Sequence, residues 1–299
     1  MSLAQPGTKQ IIFSLWLLLP CLTGAAQPYL DIGRISYYYT PAPDKPDGIR
    51  SSLYSINVTL PFELKKDGDA IILNPFFDVN HASTGGRASW VHSTGIMAGF
   101  VKKNIGSRWQ LMTNVIVRKN QQAEGEFTSA WQTGGLILAT FKQNESRSFK
   151  VGAYYNREFF GNFFMPLIGI DWRINEGTAL FGVLPGSMTL ERKVSRSFYI
   201  GAAFRALTNS YRLRTIDPCF SGDCSVKNYL RINDNQLGLF ADIYFFKQIV
   251  FTTEAGHTIF RKYRYGFKGD KVHTYTDVKN DNWYVKGTLA YRLRFSSKR

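Results

Sequence analysis

The chain has 299 residues, of which 44% are hydrophobic and 15% aromatic, and its formal net charge at pH 7 is +15. This length is sufficient for one substantial domain. The positive charge would suit nucleic acid, an anionic lipid surface or an anionic solute, but the N-terminal segment carries export signals that argue against nucleic acid.

The first 26 residues have the order of a secretory signal peptide. Lys9 is their only charged residue, residues 11–19 are an apolar run, and residues 24–26 are small, as a cleavage site requires. The run is shorter than the roughly 20 apolar residues of a membrane-spanning helix. We therefore predict a signal peptide at 1–26 and a single mature domain at 27–299.

The mature chain consists of segments in which apolar and polar residues alternate. In residues 53–62, for example, Tyr54 and Ile56 fall on one side, while Ser55 and Asn57 fall on the other. Period-two alternation is typical of a strand with two different faces. The predicted strands are 31–40, 50–65, 70–79, 90–102, 108–118, 131–142, 147–156, 165–174, 178–183, 187–194, 197–213, 228–245, 249–262 and 284–295.

Short and long connectors alternate along most of the chain. The longer ones are predicted near 41–49, 80–89, 119–129, 157–164, 214–228 and 263–282. This layout predicts an all-β fold, a transmembrane up-and-down antiparallel β-barrel of about 14 strands with short periplasmic turns and longer extracellular loops. Leu184-Pro185-Gly186 interrupts the segment 178–194. If that segment is one bent element, or a hairpin outside the barrel, the count is 12 or another even number.

The last strand has to close the barrel, because a sheet exposed to lipid satisfies all of its backbone hydrogen bonds only if its last strand pairs with its first. In residues 283–295, Val285, Leu289 and Tyr291 alternate with polar residues, and Phe295 ends the run. We expect this strand to pair with the first one. Phe295 is then the expected recognition signal for the barrel-assembly machinery, which would be a partner of this chain.

A motif in the middle of the chain resembles an uncharacterised outer-membrane β-barrel family of Bacteroidota, a domain of unknown function. That family carries an F-G element, then P-x-x-G-x-x-W, then L-P. The resemblance covers about 30 residues, implies an integral protein of the outer membrane and transfers no activity. The matching positions here are Phe160, Gly161, Pro166, Gly169, Trp172, Leu184 and Pro185.

Alternation also predicts which polar residues line the lumen. Cations outnumber anions among them, which predicts a passive pore or uptake component for small solutes, with a preference for anions. In the alternative, the acidic residues pair with arginine and lysine across the lumen and close it, leaving a structural or surface-interaction barrel. The lumen candidates are Asn57, Gln110, Asn114, Arg118, Lys150, Asp171, Arg173, Arg205, Asp242, Glu254, Lys286, Arg292 and Arg294.

An outer-membrane enzyme is a third alternative. His257 falls on the predicted lipid face, where a barrel lipase would need a serine and an orienting Asn or Asp nearby. Asp242 and Glu254 on neighbouring strands could form a catalytic carboxylate pair, but salt bridges to nearby arginines explain them better. No nucleotide, cofactor or metal motif is present in the sequence, so we expect no cofactor, no metal and no enzymatic activity.

Two cysteines remain after removal of the signal peptide. Cys219 and Cys224 lie in a predicted loop, and an oxidising compartment favours a disulfide between them over a metal site, because no histidine or further cysteine is close in sequence. Aromatic and basic residues near strand ends are expected to contact outer-membrane lipid and lipopolysaccharide.

Overall fold

The computed structural model describes residues 28–44, 48–64, 68–84, 87–106, 108–123, 130–213, 229–266 and 278–295. The predicted signal peptide and the cysteine pair, Cys219 and Cys224, lie outside these residues.

All regular structure in the described residues is β-strand. The strands are β1 (Tyr29–Thr40), β2 (Arg50–Val58), β3 (Leu60–Glu63), β4 (Ala70–Thr84), β5 (Arg87–Ile105), β6 (Trp109–Gln122), β7 (Trp131–Lys142), β8 (Arg147–Glu158), β9 (Gly161–Arg173), β10 (Thr178–Leu184), β11 (Ser187–Lys193), β12 (Phe198–Arg212), β13 (Tyr229–Tyr244), β14 (Ile249–Gly266), β15 (Val278–Lys279) and β16 (Trp283–Arg294). No helix among the described residues is long and apolar enough to cross a membrane.

These segments form a closed antiparallel barrel of 14 strands, as predicted. β2 and β3 both pair with β4 and are halves of one barrel strand, interrupted at Thr59. β15 is a two-residue addition beside β14. Consecutive strands pair with each other, and β16 closes the barrel by pairing with β1, from Tyr29 opposite Arg294 to Tyr39 opposite Val285. We call the end with Tyr29 and the short turns the periplasmic end, and the opposite end the outer end.

The hairpin interrupted by Leu184-Pro185-Gly186 belongs to the wall. β10 pairs with β9, and β11 pairs with β12, so the alternative of 12 strands is wrong. Two predicted long loops are also wrong. Strand β4 continues to Thr84 and β5 resumes at Arg87, while β8 and β9 are joined by a turn at residues 159–160. In the second case Glu158 faces the interior and belongs to a buried network, while Arg157 and Asn162 are exposed.

The two faces of the wall differ as the alternation predicts. Large apolar side chains are exposed on the outside of most strands, which is the surface that hydrocarbon would cover. They include Ile35, Tyr54, Val115, Ile137, Val151, Phe164, Ile168, Leu239, Phe251, Leu289 and Tyr291.

The apolar core lies inside the barrel at its outer end. There, β5, β12, β13 and β14 contribute Val91, Tyr211, Leu230 and Tyr263, which are almost completely buried. Further members of this cluster, which we call the outer plug, are Ile49, Ala82, Leu213, Ile232 and Tyr265. The plug fills the barrel where a pore would open to the cell exterior.

Candidate functional site

A chamber of about 560 Å³ lies within the barrel and is lined by strands from both sides of the β1–β16 seam. Its walls carry polar residues such as Asn57, Thr189 and Asn209, together with a few apolar ones, including Phe76 and Leu207. Polar lining is the normal character of an outer-membrane barrel interior.

The numbers of acidic and basic residues that line the chamber are equal. Its acidic lining residues are Asp31, Asp78, Asp242 and Glu254, and its basic ones are Arg34, Arg205, Lys286 and Arg292, four of each. The excess of inward cations that suggested anion preference is therefore absent from the chamber wall.

Arg292 organises the periplasmic side of the chamber. Its Nη1 donates to Asp242 Oδ2 at 2.5 Å, and its Nε donates to Asp31 Oδ1 at 2.6 Å. Its guanidinium lies 3.8 Å from the ring centroid of Tyr29, within the range of a cation–π contact. One arginine thus joins carboxylates from β1 and β13.

A second arginine lies one inward position further along β16. Arg294 donates to both carboxylate oxygens of Glu191 on β11, at 2.9 and 2.6 Å, and to the hydroxyl of Tyr244 at 2.6 Å. Its guanidinium lies 3.6 Å from the ring centroid of Tyr199. Together with Arg292, it builds a charged layer across the periplasmic part of the lumen.

In the middle of the barrel, Arg205 of β12 extends over the intervening strand β13 to Glu254 of β14. The pair is bidentate, with distances of 2.6 and 2.8 Å, the geometry in which arginine and carboxylate bind each other best. Tyr284 donates to Glu254 Oε1 at 2.6 Å. Gly238 leaves room for this tyrosine, since a Cβ there would lie 2.3 Å from the Tyr284 hydroxyl.

Glu158 is the centre of a buried network nearer the outer end. Arg118 Nη2 donates to Glu158 Oε1 at 2.6 Å, and Gln132 Nε2 donates to Oε2 at 2.8 Å. Asn156 and the Ser210 hydroxyl also donate to this carboxylate, each at 2.5 Å. Four donors from β6, β7, β8 and β12 satisfy the buried charge, as a closed interior requires.

The structure places the predicted lumen residues on the inward side of the wall. Those that line the chamber are Asn57, Arg205, Asp242, Glu254, Lys286 and Arg292. Of the others, Arg118 and Arg294 belong to the networks above, and Lys150 pairs with Asp171 at 2.7 Å. Gln110, Asn114 and Arg173 lie on the same strand faces as these residues and are half-buried.

Several partners in these networks are not apparent from sequence patterns. Glu158 lies in a segment predicted as a loop. A bulge between Asp31 and Gly33 shifts the alternation of inward and outward residues in β1. Strict alternation from the inward-facing Tyr38 would therefore place Asp31 on the outer face, whereas it lines the chamber. Glu191 lies in the hairpin whose membership in the barrel was uncertain from its sequence.

The candidate catalytic residues have other neighbours. His257 is exposed on the outer face, and its register neighbours are Leu237 and Trp283, neither of which is a nucleophile. Asp242 and Glu254 are each held by an arginine. Within the described residues, no group of three or more His, Cys, Asp or Glu side chains converges on a common metal position.

The motif residues surround the short hairpin. Phe160 lies in the outer turn between β8 and β9, Gly161 is the first residue of β9, and Pro166 lies on β9 beyond the end of its pairing with β10. Gly169 faces Gly182 so closely that a Cβ would lie 2.4 Å from the Gly182 carbonyl oxygen. Trp172 lies 4.4 Å under the Arg147 guanidinium, and Leu184 and Pro185 lie at the hairpin turn.

No family model matches the chain, and no curated protein matches it. Among solved structures, it resembles the translocator domain of autotransporter NalP from Neisseria meningitidis, with 12% identity, 95% of each chain covered and a TM-score of 0.43. It also resembles OpdL from Pseudomonas aeruginosa, with 9% identity over 88% of this chain and 98% of that chain, and a TM-score of 0.30. A mutant porin of Rh. blastica aligns with 11% identity over 90% and 98% of the two chains, with a TM-score of 0.27.

These similarities concern the fold alone. The closed antiparallel wall satisfies most of its backbone hydrogen bonds within the sheet, and its outer surface is apolar. On these two observations, the chain has the fold of an outer-membrane β-barrel.

Proposed function

We propose that this protein is exported to the bacterial outer membrane and acts there as a structural or surface-interaction barrel whose lumen is closed to free diffusion. The observation that carries this proposal is the outer plug, in which Tyr211, Leu230 and Tyr263 are almost completely buried inside the wall. Below the plug, hydrogen bonds join β6 to β12, which lie far apart around the wall: Arg118 Nη1 donates to Asn209 Oδ1 at 2.9 Å, and Asn120 Nδ2 donates to the Ser210 carbonyl at 3.0 Å.

The alternative, a passive pore with a preference for anions, requires an uninterrupted polar path and an excess of accessible cations. The chamber has equal numbers of acidic and basic residues, and Arg118, Arg205 and Arg292 are each paired with a carboxylate. These contacts favour the closed barrel over the pore.

Conductance in planar bilayers tests the proposal. The purified, folded barrel should show no conductance steps, while a known porin in the same bilayers shows them. A variant that combines Tyr211→Ala and Tyr263→Ala should lower the barrier at the outer end and produce steps. A matched variant with Tyr54→Ala and Tyr291→Ala removes two tyrosine side chains from the outer face of the barrel and should show no conductance steps. Regular steps from the unaltered protein would overturn the proposal.

A further inference from the structure

The barrel wall contains a gap beside its shortest hairpin. Strands β10 and β11 have seven residues each, whereas the flanking strands β9 and β12 have 13 and 15. β10 pairs with β9 only from Ile168 towards the periplasmic end, and β11 pairs with β12 only up to Arg205. Among the described strands, none lies between Gly161–Leu167 of β9 and the outer part of β12.

Protein contacts close the gap below and above. At the bottom, the Ala206 backbone N–H donates to the Gly186 carbonyl at 2.8 Å. At the top, the Phe159 N–H donates to the Ser210 hydroxyl at 3.1 Å, and the ring of Phe160 lies 4.0 Å from the Arg231 guanidinium. The gap is thus a bounded opening, which we call the lateral window.

The window lies at the depth of the membrane hydrocarbon. Seven residues at about 3.3 Å each and a tilt of roughly 40° rise only about 18 Å along the barrel axis, less than the apolar band of about 25 Å around such barrels. The hairpin therefore ends within the band. On the outside of β9 beside the window, Phe164 is 66% exposed and Ile168 is 71% exposed, as lipid-facing residues should be.

Behind the window, the inner face of β7, β8 and β9 is apolar. Leu136 stands opposite Tyr154, and Tyr154 stands opposite Met165. Two residues along each strand towards the periplasm, Leu138 and Leu167 lie on either side of Gly152. Two residues along towards the outer end, Phe163 lies opposite Asn156. We call Leu136, Leu138, Tyr154, Phe163, Met165 and Leu167 the inner apolar patch.

The patch differs from the rest of the interior in two ways. None of its members lines the polar chamber. Charged contacts bound it at both ends, with Glu158 and its donors on the outer side and the Lys150–Asp171 pair on the periplasmic side. Leu136, Tyr154, Phe163 and Met165 are only half-buried, so apolar surface remains uncovered there. Uncovered apolar surface in contact with water is unfavourable.

The edge of the window is also adapted to hydrocarbon. An open sheet edge in lipid leaves backbone donors and acceptors unsatisfied. Pro166 lies on the open stretch of β9 and has no N–H to leave unsatisfied, which is why proline in strands is confined to edges.

We propose that the lateral window admits a hydrocarbon chain of an outer-leaflet lipid, which lies on the inner apolar patch. The occupant is an acyl chain because the window faces the hydrocarbon band and the patch offers apolar contact. The inference rests on the membrane location proposed above and is independent of whether the lumen is closed.

Photocrosslinking with p-benzoylphenylalanine tests this inference in the full-length protein, reconstituted in phospholipid bilayers. The probe replaces Tyr154 in the patch in one variant and Phe163 in a second, so that a folding failure at one site leaves the other. It replaces Phe164, on the outer face of the same strand, as a positive control. It replaces Phe240, a chamber-lining residue, as a negative control. Lipid adducts are measured by mass spectrometry after irradiation.

We expect lipid adducts at Tyr154, Phe163 and Phe164 and none at Phe240. Thr208 lies on β12 between the two contacts that bound the window, on the strand face opposite to the chamber-lining Leu207, so Thr208→Trp should narrow the opening. It should then abolish the adduct at Tyr154 and leave the one at Phe164 unchanged. An adduct at Phe164 without adducts at Tyr154 and Phe163 would overturn the window but keep the membrane location. Adducts of equal yield at Tyr154 and Phe240 would also overturn it, since lipid would then fill the interior unselectively. Absence of an adduct at Phe164 would contradict the membrane location itself.

Discussion

Arg292 and Asp31 stand directly opposite each other across the seam at which the barrel closes. Arg292 Nε lies 2.6 Å from Asp31 Oδ1, and Nη2 lies 3.2 Å from Oδ2. β1 and β16 are at opposite ends of the chain, so this bidentate pair ties the first strand to the last.

The first prediction concerns this seam. Arg292→Met should lower the free energy of unfolding by about 3–5 kcal/mol, because removal of one partner leaves buried charge uncompensated, here on Asp31 and Asp242. Unfolding in guanidinium chloride in detergent micelles measures the change. Arg192→Met is the matched control, because Arg192 is exposed near the periplasmic end, and its loss should cost less than about 1 kcal/mol.

The second prediction concerns the network around Glu158. Glu158→Ala should destabilise the barrel by about 3–5 kcal/mol, since Arg118 would lose its buried carboxylate. The same unfolding measurement applies. Glu145→Ala serves as the control, because Glu145 is exposed in a turn and lies 3.5 Å from Lys142, an ion pair of a kind worth about 0–1 kcal/mol. Equal losses in the two variants would contradict a special role for Glu158.

The sequence predicts the wall better than the contents of the barrel. Alternation in residues 284–295 correctly separates Val285 and Leu289 on the outside from Lys286 and Arg292 on the inside, because the face of a strand is a local property. The same local rule fails at Asp31, where a bulge reverses it. It also fails at Glu158, which lies in a segment predicted as a loop but is the last residue of β8.

The contacts within the lumen depend on information that alternation does not contain. Arg205 meets Glu254, and Arg118 meets Glu158, because next-but-one strands bring residues that are 49 and 40 positions apart in sequence to the same height in the wall. Polar alternation alone therefore suggested a lumen with excess cations, whereas the pairing leaves a balanced chamber. The outer plug was also not predicted from the sequence, because Tyr263 and Tyr265 fall in a segment that was predicted as a loop and is part of β14.

The third prediction concerns the close contact at Gly238. Gly238→Ala places a methyl group 2.3 Å from the Tyr284 hydroxyl, which must move and lose its hydrogen bond to Glu254. We expect a loss of about 1–3 kcal/mol from overpacking, measured by the midpoint of chemical unfolding. Gly33→Ala is the control, because no atom lies within 4 Å of its added Cβ, and its midpoint should stay the same or rise slightly.

The fourth prediction separates assembly from stability at Phe295. The Phe295 backbone N–H donates to the Pro28 carbonyl at 2.9 Å, a bond that a side-chain change leaves in place. If the aromatic ring is the recognition signal for the assembly machinery, Phe295→Ala should reduce the amount of folded barrel in the outer membrane. The barrel refolded in detergent should keep its unfolding midpoint. Phe246→Ala is the control, because Phe246 is an exposed aromatic at the periplasmic end but does not belong to the last strand. Equal membrane levels for the two variants would contradict the assignment of Phe295, because loss of any periplasmic aromatic would then have the same effect.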